Sequence, residues 1–370
     1  MYIKTIVFWA ACFVLVACKK NEDSSPTVVL PASYNFTNVN FEGQTKRLAM
    51  LAEMVTEMKK GTIQQLDSNK LLNMYANTNN EFSSLALNTS GKQLRDKTYS
   101  GDITFFELLL KKISATSSLY TSSTNMAGMG GVATSTSDAS KKYLVDEHGV
   151  EYAQVIQKGL MSAIFYYRIA EEYTTSSKLN FADNENITIG EGTEMQHYWD
   201  EAFGYVGIPT IMTSTNYDSL KTVGLLSFYG SYMEKAKILE VPKTLLHSLI
   251  EGRDAINRKD YSTRDKAGTT IRKNMEIIQV CSAISYLNQG YNAYSDYAVR
   301  CHTLSEAYGF LFGLKYNSGK VITTSEYTSL CQKFFDEGSL SIAHISLDDI
   351  EEIRTTLSNI YGLNDIKNLL

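Results

Sequence analysis

The stretches HYWDEAFGY at 197–205 and HTLSEAYGF at 302–310 decide how the chain is organised. They share His, Glu, Ala and Gly in register, and both keep an aromatic residue on each side of the glycine. Upstream, Ser162-Ala163-Ile164 with Tyr166 matches Ser282-Ala283-Ile284 with Tyr286, in the same order. Each copy therefore reads as a pair of helices, and the first carries a longer connection, rich in Asn and Asp, over 174–190. Two matches in one order point to an internal duplication. Ala202 with Gly204, and Ala307 with Gly309, would let helices approach closely between the flanking rings.

Proline supplies negative evidence for the same fold. None occurs between Pro31 and Pro209, or after Pro242, and proline breaks helix interiors. Apolar residues then recur at three- and four-residue steps. Leu48, Leu51, Ala52, Val55 and Met58 form one such series, and Tyr152, Val155, Ile156, Gly159, Ala163, Tyr166, Tyr167 and Ala170 another. Between 271 and 287 apolar residues occupy two faces, as in a central helix. The spacing predicts helices over 44–60, 65–77, 102–117, 148–174, 191–206, 217–239, 243–258, 262–289, 292–315, 323–336 and 347–361. The Ser/Thr/Gly-rich segment 118–141 is expected as a long loop or mobile flap. The expected fold class is all-α, with two packed helical bundles from the apparent duplication, over 34–370. Tyrosine is abundant, with 24 residues among 370, and is expected mainly to pack the core.

Composition agrees with a packed body. Apolar residues make up 44% and charged residues 20% of the chain, the profile of a chain that buries a core and not of a disordered one. A formal charge of −5 leaves no basic excess, so no nucleic-acid partner is expected.

The N-terminus reads as an address. Lys4 precedes an apolar run over 6–16, too short to span a bilayer as a helix. The run ends in Leu15-Val16-Ala17-Cys18, which resembles the lipobox of bacterial lipoproteins. That resemblance implies a cleaved signal peptide at 1–17, a lipid on Cys18 and a polar tether over 18–33. It also implies anchorage in the outer membrane, on the periplasmic or the cell-surface side. Lys19-Lys20-Asn21-Glu22-Asp23 resembles the charged start of some surface-exposed lipoproteins. Cys281, Cys301 and Cys331 are too few and too far apart to make a disulfide scaffold.

Acid and imidazole side chains are the candidates for chemistry. Glu194, His197 and Glu201 share one helical face, with Asp200 on the same side of the histidine. The second copy keeps His302 and Glu306 but has Val299 where Glu194 would stand. A ferritin-like di-iron centre needs a Glu-x-x-His pair in both halves, so that reading fails. His-Glu-x-x-His is absent, which removes the commonest zinc-peptidase signature. With helices 148–174 and 191–206 antiparallel, His148 would stand roughly 30 Å from His197, and Glu171 and Glu172 would be nearer to it. Folding the second copy back on itself would bring Cys281 level with Cys301, beside His302, where a soft metal site or a disulfide is conceivable.

Asp146-Glu147-His148-Gly149-Val150-Glu151-Tyr152 forms a second candidate. Its His-x-x-Glu followed by an aromatic resembles the Gly-x-His-x-x-Glu signature of the imelysin family, with Asp146 where that family has glycine. The blocks GVEYAQVIQKGLMSA and HYWDEAFGY also resemble those of an uncharacterised family of bacterial surface lipoproteins. The imelysin resemblance implies a two-bundle helical body in the cell envelope, associated with iron uptake and in some members labelled as a metallopeptidase. His148, Glu151, Glu194, His197, Glu201, His302 and Glu306 are then the metal- or ligand-binding candidates, and a divalent metal or iron is the cofactor class they suit. The expected function is a ligand-binding lipoprotein serving iron or haem acquisition. The alternatives are a non-catalytic partner of an outer-membrane complex and a metallopeptidase using His148 and Glu151. For the latter, two ligands fall short of the three a catalytic zinc usually takes.

Overall fold

The apolar periodicity is realised as helices. In chain order these are α1 Glu42–Lys59, α2 Ser68–Ala76, α3 Leu85–Asn88, α4 Ile103–Thr116, α5 Tyr152–Leu160, α6 Ser176–Leu179 and α7 Glu194–Val206. They continue with α8 Tyr217–Thr222, α9 Tyr229–Tyr232, α10 Val241–Asn257, α11 Tyr261–Asn292, α12 Tyr297–Gly313, α13 Thr324–Gln332 and α14 Leu347–Tyr361. The computed structural model describes residues 28–370. The expected leader at 1–17, Cys18 and the 18–27 part of the tether lie outside the described residues. Helix accounts for 61% and strand for 5%, so the class is all-α. Among the described residues no helix is long and apolar enough to cross a membrane.

Local chemistry sets the helix ends. Thr193 with Gln196, Thr323 with Glu326 and Ser346 with Asp349 each form a reciprocal capping box at the start of α7, α13 and α14. Pro242 stands in the first turn of α10, where its missing N–H costs nothing. Gly207 ends α7 in the left-handed conformation.

Six helices close into a circuit: α1 packs on α7, α7 on α10, α10 on α11, α11 on α12, α12 on α5, and α5 back on α1. Beyond Leu160, α5 runs on without a break through two π-helical stretches, Met161–Tyr166 and Arg168–Tyr173. Every residue over 152–166 except Gln157 is buried, so this helix shares the central role expected of α11. The two meet where Gln279 Nε2 donates to Ser162 Oγ at 3.0 Å. The repeated glycines perform one task twice. A Cβ on Gly204 would lie 2.6 Å from Phe41 Cβ beside α1, and a Cβ on Gly309 would lie 2.6 Å from Lys158 Cβ on α5.

Three expectations about local structure need correction. Segment 118–141 is no free flap: β1 Ser123–Thr124 pairs in parallel with β2 Gly131–Thr134, which pairs antiparallel with β3 Lys142–Val145. Its Ser/Thr content serves Asp296, whose Oδ2 accepts from Ser135 Oγ at 2.7 Å and from Thr136 N at 3.0 Å. Burial opposes the charge on Asp296, but these hydrogen bonds outweigh it and hold the carboxyl at about 2. The expected helix 217–239 is broken by Gly224, at φ +72°, and by a turn in which Ser227 N donates to the Gly207 carbonyl at 2.9 Å. The helix expected over 323–336 stops at Gln332, because Glu337 and Gly338 take positive φ and close the hairpin of β4 Phe335–Asp336 and β5 Ser339–Leu340.

Candidate functional site

The sequence before α5 aims one carboxylate inward. Asp146 accepts from the N–H groups of His148 and Val150 at 3.0 and 2.8 Å, and from the Tyr152 hydroxyl at 2.8 Å. This turn reverses at Gly149, where φ is +74° and where a Cβ would lie 2.9 Å from Cys301 Sγ. Glu151 follows as the N-cap position of α5, its N–H donating to Ser305 Oγ at 3.0 Å. The helix expected to begin at 148 thus begins at Tyr152, and the two members of His-x-x-Glu part company. Glu151 points to α12. The His148 side chain stays half exposed, with Nε2 3.9 Å from Glu147, while its carbonyl accepts from Ile342 N and Ala343 N, both at 2.9 Å.

On α12 the carboxylate of Glu151 meets His302, Oε2 to Nδ1, at 2.6 Å. One turn on, Glu306 Oε2 lies 3.8 Å from His302 Nε2, and Glu306 Oε1 accepts from Lys158 Nζ at 2.7 Å. Gln154 joins the ends: its Oε1 accepts from Lys158 at 2.8 Å and its Nε2 donates to Glu151 at 3.4 Å. The Lys158 and Glu306 side chains are only 2% and 7% exposed, so each depends on the other for its charge. Burial alone would lower the pKa of His302, but the charge of Glu151 and their hydrogen bond raise it on balance. Burial alone would raise that of Glu306, but Lys158 and His302 lower it. With His302 protonated, two anions face two cations and the quartet is neutral.

Glu151, Gln154 and His302 line a cavity. Tyr143 of β3 stacks on the His302 ring, centroids 4.1 Å apart. Met58, Ile113, Leu144 and Ala153 supply apolar wall, and the cavity volume is about 290 Å³. Lys59, Lys141 and Lys142 stand at the mouth. These residues do not fit a bare divalent ion: Nδ1 of His302 is engaged, the charges are matched, and among the described residues no three His, Cys, Asp or Glu side chains converge to hold a metal. Cys281 and Cys301 are free, so the disulfide considered from the sequence does not form, and burial pushes both thiols up to about 12, which makes them poor ligands.

Glu194, His197 and Glu201 go elsewhere. Glu194 accepts from Asp183 N at 3.0 Å and from the Tyr198 hydroxyl at 2.7 Å, tying the 174–193 connection to α7. His197 and Glu201 line a second, more polar cleft of about 510 Å³ between α1 and α7. Asp200 turns into the core and accepts from Tyr34 and Arg253 at 2.6 and 2.9 Å; burial raises its carboxyl to about 6 against their pull. Glu171 accepts from Ser318, and Glu172 pairs with Arg168, so neither joins His197.

Sequence reasoning missed Lys158, Gln154 and Tyr143. The first two left a signal: Glu151, Gln154 and Lys158 make a polar stripe at three- and four-residue steps along an otherwise apolar helix. Tyr143 left none, because its strand lies in a segment expected as loop. No curated protein and no solved structure matches the chain. The model of a domain of unknown function, DUF4856, matches residues 31–364, and the chain belongs to that family.

Proposed function

We propose that the chain is a lipid-anchored cell-envelope protein of imelysin-like type, whose cavity over His302 receives a small ligand that carries iron as a chelate or as haem. The observation that carries this is the setting of His302. A ring held between Glu151 and Glu306 and stacked on Tyr143 forms part of the wall of a partly apolar cavity. Small molecules bind in concave sites of that composition, with few polar groups placed to orient them. The lipobox supports the address, and the His-x-x-Glu block supports the imelysin likeness. A chelate is favoured over a bare ion because the quartet already matches its own charges. Lysines at the mouth suit an anionic one.

Titration of the purified chain without its leader, followed by tyrosine and tryptophan emission, tests this. Haem or a ferric hydroxamate chelate should saturate, ferrous salt alone should not, and His302→Ala should abolish saturation. Absence of saturation by haem and by chelate alike would sink the reading. One feature favours the second reading, a non-catalytic partner of an outer-membrane complex: Phe181, Ile187 and Ile189 project from the 174–193 connection, 88%, 63% and 94% exposed. Pull-down from solubilised membranes with Phe181→Ser and Ile189→Ser controls tests that reading. The metallopeptidase alternative loses its basis once His148 and Glu151 diverge.

A further inference from the structure

The cleft beside His197 is an open counterpart of the cluster beside His302. Glu201 and Gly204 of α7 face Gln44 of α1, as Glu306 and Gly309 of α12 face Lys158 of α5. Gln44 therefore occupies the place of Lys158. In the closed cluster an ammonium matches Glu306, and a carboxylate meets His302 Nδ1. In the open one Glu201 meets only the neutral amide of Gln44, at 2.6 Å. His197 Nδ1 is buried with no partner. A buried N–H without an acceptor is the costlier arrangement, which places the ring proton on Nε2, the accessible nitrogen.

Two cations border the same cleft. Lys92 and Lys97 line it, and neither forms an ion pair among the described residues; the Lys97 ammonium reaches only the Tyr173 hydroxyl, at 3.5 Å. Gly43 keeps that side open: Lys92 Nζ and Arg47 Nη1 both stand within 4 Å of the point a Cβ would occupy. Burial holds Lys97 below the usual lysine range, so an anionic partner would stabilise its charged form. Of the other charges in the cleft, Lys46 meets Glu42 at 3.6 Å and Arg47 meets Asp96 at 3.3 Å, while Glu191 makes no ion pair among the described residues.

Compared with its closed counterpart, then, the open cluster holds Glu201 and Lys97 within reach of each other's charge but joined by no ion pair. We infer that the cleft binds a small zwitterion of the amino-acid class, its ammonium on Glu201 and its carboxylate on Lys97 and the His197 ring. The ligand brings the two charges that Lys158 and Glu151 supply from within the chain at the other site. A volume of about 510 Å³ accommodates such a molecule. This inference is independent of the ligand at His302.

Thermal unfolding of the purified chain with each common amino acid, with succinate and with putrescine is the test. At least one amino acid should raise Tm saturably, and succinate and putrescine, which carry one sign of charge only, should not. Glu201→Gln and Lys97→Met should each weaken that binding roughly tenfold, the scale of one charge-assisted hydrogen bond, and His302→Ala should leave it unchanged. Lys92→Met, on an exposed side chain, serves if either variant melts below its parent. Failure of every amino acid to stabilise the chain overturns the inference, and so does stabilisation by succinate equal to that of the best amino acid.

Discussion

The clusters around His302 and His197 are built from the same His-Glu-Ala-Gly pattern and differ in who completes them. At His302 the chain supplies every partner: Glu151, Gln154 and Lys158 arrive from α5, and the polar groups are buried with their charges matched. At His197 the facing helix supplies Gln44 in place of a lysine and no acid against the ring, so Glu201 and Lys97 remain in contact with water. A repeated motif fixes how two helices approach. The residues opposite it decide whether the charges at the junction are matched within the chain or left open.

The largest expected effect breaks this contrast directly. Lys158→Met leaves Glu306 buried without its cation and should cost about 3–5 kcal/mol, whereas Gln44→Met removes one hydrogen bond at a wetted carboxylate and should cost about 1 kcal/mol. Urea unfolding of both variants measures the difference; equal losses would mean that the two clusters are not closed and open forms of one arrangement. Next in size, Gly204→Ala and Gly309→Ala should each cost about 1–3 kcal/mol by overpacking, and by similar amounts, because both face a helix at 2.6 Å. Here similarity sharpens the comparison, and a neutral Gly204→Ala would break it.

The smallest effect is the pH dependence that the closed cluster contributes. The folded-state pKa of His302 is raised above its ordinary 6.5. The stability it contributes is therefore complete below that value and lost as pH rises through the raised one. Glu306 behaves in the opposite sense: its pKa lies below 4.5, so its contribution is present above that value and lost as pH falls through the lowered one. Denaturation midpoints measured across pH should show both limbs in the parent. His302→Gln should flatten the alkaline limb, and a limb that survives in that variant would assign it to another group.

Much of this was legible in the sequence. The 3.6-residue period and the scarcity of proline gave the long helices, because burying an apolar stripe leaves that period behind. The His-Glu-Ala-Gly repeat gave the two helix junctions, because close approach demands glycine. The pairing of Glu151 with His302 was not legible. The two are 151 residues apart, and local spacing ranks His148 as the partner of Glu151 when a turn at Gly149 actually separates them. The small sheet was missed because its strands are two to four residues long, too short for alternation to register. The serines and threonines that read as a flexible stretch are fastened to Asp296, a partner that only the tertiary fold brings near.

Because Glu151 and Lys158 find their oppositely charged partners at residues 302 and 306, the order of synthesis constrains assembly. A growing polypeptide that ends before Glu306 has to leave Lys158 hydrated, and with it the middle of the helix that carries it. The turn at His148 waits longer still, for the amides of Ile342 and Ala343. Native structure is thus reached after nearly the whole chain is made, through contacts of high sequence separation that fold slowly, and a nascent fragment stopped short of that point stays open to proteases.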